Sequence, residues 1–158
     1  MPREDMRKLQ SERLVKQVKI CYDNVPFYKK KMDEKGVKPE DIKSIDDIVK
    51  LPFTCKTDLR DEYPFGLQAV PMSKIRRIHA SSGTTGKPVV DTYTDNDIAN
   101  WSEGVARVMA VGNVGPGDVV QVAYGYGLFT GGLGVHEGAH TRGAIQLPTS
   151  AGNSSKQI

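Results

Sequence analysis

An α/β fold with a helical lead-in is predicted by three features of this 158-residue sequence. Residues 1–74 show helical apolar spacing broken by prolines and short turns, and from Lys74 onward strands alternate with helices. Between the first two strands lies Ser81-Ser82-Gly83-Thr84-Thr85-Gly86-Lys87-Pro88, a loop of hydroxyls, glycines and one lysine. The expected division is a helical segment over 1–74 and an α/β domain with the loop over 75–158.

The elements follow in order. Asp5 to about Asp23 reads as an amphipathic helix whose polar face carries Arg7, Lys8, Glu12, Arg13 and Lys16, with Leu14, Val18, Cys21 and Tyr22 on its apolar stripe. A second short helix follows Pro26; its Lys29-Lys30-Lys31 run precedes Asp33 and Glu34 and is expected to be a solvated face. Pro39-Glu40-Asp41 and Ser44-Ile45-Asp46-Asp47 resemble helix starts, with acids in the first turn where the helix dipole favours them. Ile75–Ala80 and Val89–Tyr93 have β character. Thr94 then offers an N-cap with Asp97 three residues on, and Ile98, Trp101, Val105, Val108 and Met109 follow helical spacing, with Trp101 expected in the core. Gly112 to Gly117 breaks the chain. Asp118–Tyr124 reads as a buried strand, 130–141 as a helix and 144–147 as another strand, and this β-α-β order implies parallel pairing.

Phosphate is the natural guest of the loop. Its glycines let the backbone approach a ligand, successive N–H groups and hydroxyls make an anion-binding concavity, and Lys87 adds positive charge. A Walker loop needs four residues between Gly and Gly-Lys, then Ser or Thr, and it opens a helix. Here only Thr84 and Thr85 separate the glycines, and Pro88 leads into a strand. The competing reading is a polar hairpin turn with no ligand.

With its flanks, the octapeptide resembles the phosphate-binding signature of the adenylate-forming enzymes, the acyl-CoA synthetases and their relatives. Asn24-Val25-Pro26-Phe27-Tyr28, Leu51-Pro52-Phe53-Thr54, Lys56-Thr57-Asp58-Leu59-Arg60, Tyr63-Pro64-Phe65-Gly66 and the run from Tyr124 to Gly134 narrow the resemblance to the phenylacetate-CoA ligase family. The resemblance implies the start of that family's large domain, a partial AMP-binding α/β domain over 75–158. It implies an AMP-forming aryl-acid CoA ligase acting on phenylacetate, ATP and CoA with Mg²⁺. Ser81, Ser82, Gly83, Thr84, Thr85, Gly86 and Lys87 would hold the nucleotide phosphates, while Tyr124 and Phe129 would line the acid pocket. No catalytic residue is assigned. The family pattern His-Tyr-Gly-Ala-Glu is replaced here by His136-Glu137-Gly138-Ala139-His140. Family members that complete the reaction are markedly longer, so an N-terminal portion, inactive alone, is expected. The sheet edge left after Ile145 then predicts poor solubility or a missing partner segment. A homodimer is allowed for the full-length enzyme. The alternative is a split or non-catalytic nucleotide-binding module derived from such a ligase.

Other functions fare worse. A net charge of +3 is too small to argue for nucleic acid, and no apolar run approaches a membrane span. Met1–Lys16 lacks the apolar core of a secretory signal, so a cytoplasmic chain is expected. Cys21 and Cys55 have no metal or redox spacing and are expected to be buried, reduced thiols. Gly125-Tyr126-Gly127 resembles the opening of a dinucleotide fingerprint, but Thr130 stands where the third glycine belongs and no acid follows for a ribose. His136-Glu137-Gly138-Ala139-His140 satisfies the H-E-x-x-H zinc pattern, but Gly138 weakens the helix and no third ligand follows; no metal site is expected.

Overall fold

The computed structural model describes residues 1–83, 86–152 and 154–157. The chain forms two compact units, Met1–Pro71 and Met72–Ile158. Among the described residues no helix is long and apolar enough to cross a membrane.

In the first unit, helices α1 (Arg3–Asn24) and α2 (Pro26–Glu34) are separated by a single residue. Pro26 fixes its own φ at the start of α2 and pushes Val25 into extended backbone, φ −121° and ψ 102°. The turned chain buries Val25 and closes a core of Val18, Met32 and Ile42, with Leu14, Tyr22, Val37 and Leu51 packed around it. The expected polar face of α1 is exposed at all five positions. Asp33 ties the two helices together: it accepts from Lys29 Nζ at 2.6 Å and from Tyr22 Oη at 2.7 Å, and Lys38 pairs with it from the next turn. Of the lysine run, Lys29 and Lys30 lie on the solvated face. Lys31 is half-buried and reaches Asp58 at 2.6 Å and the Phe53 carbonyl at 3.0 Å.

Three expectations for this unit are corrected. The helix starts at Pro39 and Ser44 yield only 3₁₀ turns, Pro39–Asp41 and Ile45–Lys50. The first ends where Ile42 goes extended to enter the core. The second ends at Leu51, which precedes Pro52 and is extended at φ −71°, ψ 149°. Cys55 is exposed rather than buried, because it stands at the N-cap of helix α3 (Lys56–Asp61), where its backbone N–H donates to Asp58 at 2.7 Å. Cys21 is half-buried.

In the second unit, strands β1 (Ile75–Ala80) and β2 (Val90–Thr94) form an antiparallel pair. A bulge between Ile75 and Arg77 shifts the register, so that Arg77 faces Tyr93 and Ala80 faces Val90. Helix α4 (Asp95–Val111) starts on the expected capping box, the Asp97 N–H donating to Thr94 Oγ1 and the Thr94 N–H to Asp97 Oδ2 at 2.9 Å. Strand β3 (Val119–Gln121), helix α5 (Thr130–Arg142) and strand β4 (Ile145–Leu147) make the expected parallel crossover. A short helix, α6 (Ser154–Gln157), follows.

The hairpin β1–β2 forms a sheet of its own. One strand expectation changes. The strand read over 118–124 shrinks to three residues and is not buried: Val119 is 60% exposed, because β4 is its only partner among the described residues. The buried side chain lies just beyond, at Val122, whose N–H donates to Leu147 O at 2.9 Å.

Glycines set how closely α4 and α5 approach. A Cβ on Gly134 would stand 2.6 Å from the Trp101 ring, and one on Gly138 would overlap Val105. Trp101, expected in the core, is half-buried against that contact, stacked on Tyr93 with ring centroids 5.5 Å apart.

Candidate functional site

The loop follows directly from the β1–β2 ladder. Ser81 closes its base twice, its N–H donating to Val89 O at 2.9 Å and its Oγ accepting from Val89 N–H at 2.9 Å. Beyond that closure Gly83 has φ +67° and Gly86 φ +129°, and the Gly86 N–H donates to Gly83 O at 3.0 Å. A Cβ at Gly83 would sit 3.0 Å from that donor's own carbonyl oxygen and 3.4 Å from Pro88 N, so both conformation and space require glycine there. Ser81, Ser82, Gly86 and Lys87 are exposed and Gly83 is half-buried. Thr84 and Thr85 lie outside the described residues.

The second candidate segment meets this strand. Leu128 O accepts the Ala80 N–H at 2.9 Å, immediately before Ser81, and His79 Nδ1 lies 2.9 Å from the same oxygen. Segment 124–129 is thus fastened to the strand that carries the loop. Its other end folds back onto α5, where Gly125 O would stand 2.7 Å from a Cβ on Gly132. Gly131 leaves room for the Tyr124 ring, which a Cβ there would meet at 2.7 Å. Tyr124 is 62% and Phe129 55% exposed, so both aromatic rings present surface and neither fills the core.

The H-E-x-x-H residues are engaged separately. His136 Nδ1 lies 3.2 Å from Tyr126 Oη. Glu137 Oε1 accepts from Arg77 Nη2 at 2.6 Å, both side chains being mostly buried. His140 is exposed at the helix surface. Burial pushes the Tyr126 hydroxyl up from its ordinary value, so it stays a neutral donor or acceptor for His136. Gly138, which the sequence marks as a helix weakness, has a packing reason in Val105. Glu137 has an ion-pair partner on β1.

His79 was not singled out by the sequence. A signal was available: with Ile75 and Arg77 it occupies alternate positions of β1, the inward set of a half-buried strand. The Leu128 contact had none, because a backbone carbonyl has no residue identity.

No protein-family model matches the chain. It is 54% identical over 155 residues to a phenylacetate-coenzyme A ligase of Aromatoleum evansii, a match covering 98% of this chain and 35% of that protein. The enzyme of the same name from Thermus thermophilus is 51% identical over 158 residues. Among solved structures, a 2-hydroxyisobutyryl-CoA ligase in complex with 2-HIB-AMP superposes with a TM-score of 0.86 at 32% identity, covering 96% of this chain and 33% of that one. The same enzyme with 2-HIB-AMP and CoA, in the thioesterification state, gives a TM-score of 0.87 at 34% identity. The resemblance drawn from the loop and its flanking motifs is borne out, as is the expected fold, the N-terminal part of an adenylate-forming CoA ligase. The chain spans about a third of the length of these relatives.

Proposed function

We propose that this homologue of the N-terminal third of phenylacetate-CoA ligases supplies the phosphate-holding loop and one wall of the acid pocket of an AMP-forming aryl-acid CoA ligase. The single observation that carries the reading is the Leu128 carbonyl bound to the Ala80 N–H. It sets the Gly-rich aromatic segment beside the loop, so an aromatic carboxylate and the nucleotide phosphates meet along one strand.

A carboxylate is a poor electrophile. In the proposed reaction its oxygen attacks the α-phosphorus of ATP, the bond to the bridging oxygen breaks, and pyrophosphate leaves with that electron pair. The CoA thiolate then attacks the acyl carbon and AMP departs. The loop's part is to hold the β- and γ-phosphates through N–H groups, the hydroxyls of Ser81, Ser82, Thr84 and Thr85, and the charge of Lys87. Hydroxyls and amides suit phosphate oxygens better than they suit a resident metal. Among the described residues no group of three His, Cys, Asp or Glu side chains could hold a metal ion. Mg²⁺ would therefore be carried by the nucleotide's own phosphates, offsetting their charge. Tyr124 and Phe129 would offer faces to an aryl ring, and phenylacetate is the acid proposed on the strength of the relatives' activity. The reading also places the chain in the cytoplasm, where ATP and CoA are available.

Titration of the chain with MgATP and with inorganic pyrophosphate tests the loop. Thr84→Ala and Lys87→Ala should each weaken pyrophosphate binding by roughly tenfold or more, the effect of about 1.5–3 kcal/mol for a charge-assisted hydrogen bond. Unchanged affinity in both would overturn the assignment. Carboxylate-dependent ATP–pyrophosphate exchange separates the enzyme from a phosphate-binding module: exchange by the chain, alone or joined to the remaining two thirds of such a relative, supports the enzyme, and binding with no exchange in either form supports a module.

A further inference from the structure

His79 stands two residues before Ser81 and is 1% exposed. Its Nδ1 lies 2.9 Å from Leu128 O, the oxygen that also accepts the Ala80 N–H at 2.9 Å. A carbonyl oxygen only accepts, so the proton sits on Nδ1. The other ring nitrogen, Nε2, is buried and has no hydrogen-bond partner among the described residues. A proton on Nε2 would leave a buried donor unmet, and both ends of the ring therefore select the Nδ1–H tautomer.

The ring cannot easily turn away from this bond. Tyr93 of β2 and Trp101 of α4 both meet it edge to face, with centroids 5.4 Å away in each case. Trp101 is itself fixed against Gly134 of α5. One imidazole on the loop strand thus touches its hairpin partner and α4, and points its only donor at segment 124–129.

We propose that His79 is a positioning residue which clamps segment 124–129 to the phosphate-loop strand and so fixes Tyr124 and Phe129 relative to Ser81; the consequence for catalysis rests on the ligase reading above. A carboxylate and an α-phosphorus react at a useful rate only when held in line, so the clamp governs alignment and touches neither reactant. The Ala80 N–H is the backbone half of the clamp and His79 the side-chain half.

Nitrogen-15 NMR of the imidazole in the wild-type chain gives the first test. The expected pattern is a protonated Nδ1 and an unprotonated Nε2; an Nε2–H tautomer overturns the proposal whatever any variant does. His79→Asn retains an N–H where Nδ1 stands, whereas His79→Leu removes it. Amide exchange over 124–129 and at Ala80 should rise about tenfold in His79→Leu and stay near wild type in His79→Asn, with α4 amides unmoved in both. No change at 124–129 in His79→Leu, or an equal rise throughout the second unit in both variants, overturns the clamp. MgATP titration of the wild-type chain judges the ligase reading separately: the predicted tautomer and exchange pattern without MgATP binding uphold the clamp and sink that reading.

Discussion

At Gly138 two demands conflict, and the structure shows which prevails. Alanine is favoured over glycine inside a helix by about 1 kcal/mol. A Cβ there would overlap the Val105 side chain across the α4–α5 contact. Overpacking a filled core costs about 1–3 kcal/mol. Gly138→Ala should therefore destabilise the chain by up to about 2 kcal/mol net, read as a lower denaturation midpoint; Gly104→Ala on α4, where nothing lies within 4 Å of the added Cβ, should stabilise it. The same helix carries a covered ion pair. Glu137 meets Arg77 at 2.6 Å with both groups mostly covered, so each carries the other's charge.

Individual elements were legible in the sequence wherever their signal was local. Pro26 announced the start of α2, and Thr94 with Asp97 announced that of α4. Thr94→Ala should cost about 1 kcal/mol by leaving the first turn of α4 without its side-chain acceptor, checked by chemical denaturation. If stability is unchanged, the capping box does not hold that end. Elements set by longer-range partners were harder to read. The helix start read at Ser44 yielded only a 3₁₀ turn because Leu51, before Pro52, is extended, and the expected buried strand over 118–124 proved short and exposed because burial needs a second sheet neighbour. The candidate site divides in the same way. The loop was visible in composition and order, since glycines and hydroxyls advertise their use. Its fastening to segment 124–129 was not, because it runs through the Leu128 carbonyl and a histidine on the inward face of β1.

Over the whole molecule, the two units differ in what stabilises them. The first adds carboxylates to its apolar core: Asp33 is held well below the usual range by Lys29, Lys38 and Tyr22, and Asp47 by Lys50 and the N–H groups of Lys43 and Ser44. Asp58 is held down by the Cys55 N–H and then by Lys31. Each pKa is lowered on folding, so the contribution is complete above the unfolded value of about 4 and is lost as pH falls below it. Acid should therefore loosen residues 26–61 first, seen as faster amide exchange there below about pH 4, and Asp58→Asn should flatten that dependence. Exchange in this region that ignores acid would show the ion pairs to be surface ornaments of little worth. The second unit relies on aromatic packing around Trp101, which is the chain's one tryptophan. Its indole lies against the clamp histidine, and that proximity makes the protein its own optical probe. Emission excited at the red edge of the absorption band reports the surroundings of Trp101, His79 among them, so a guest that tightens or loosens the loop strand can be followed without any label.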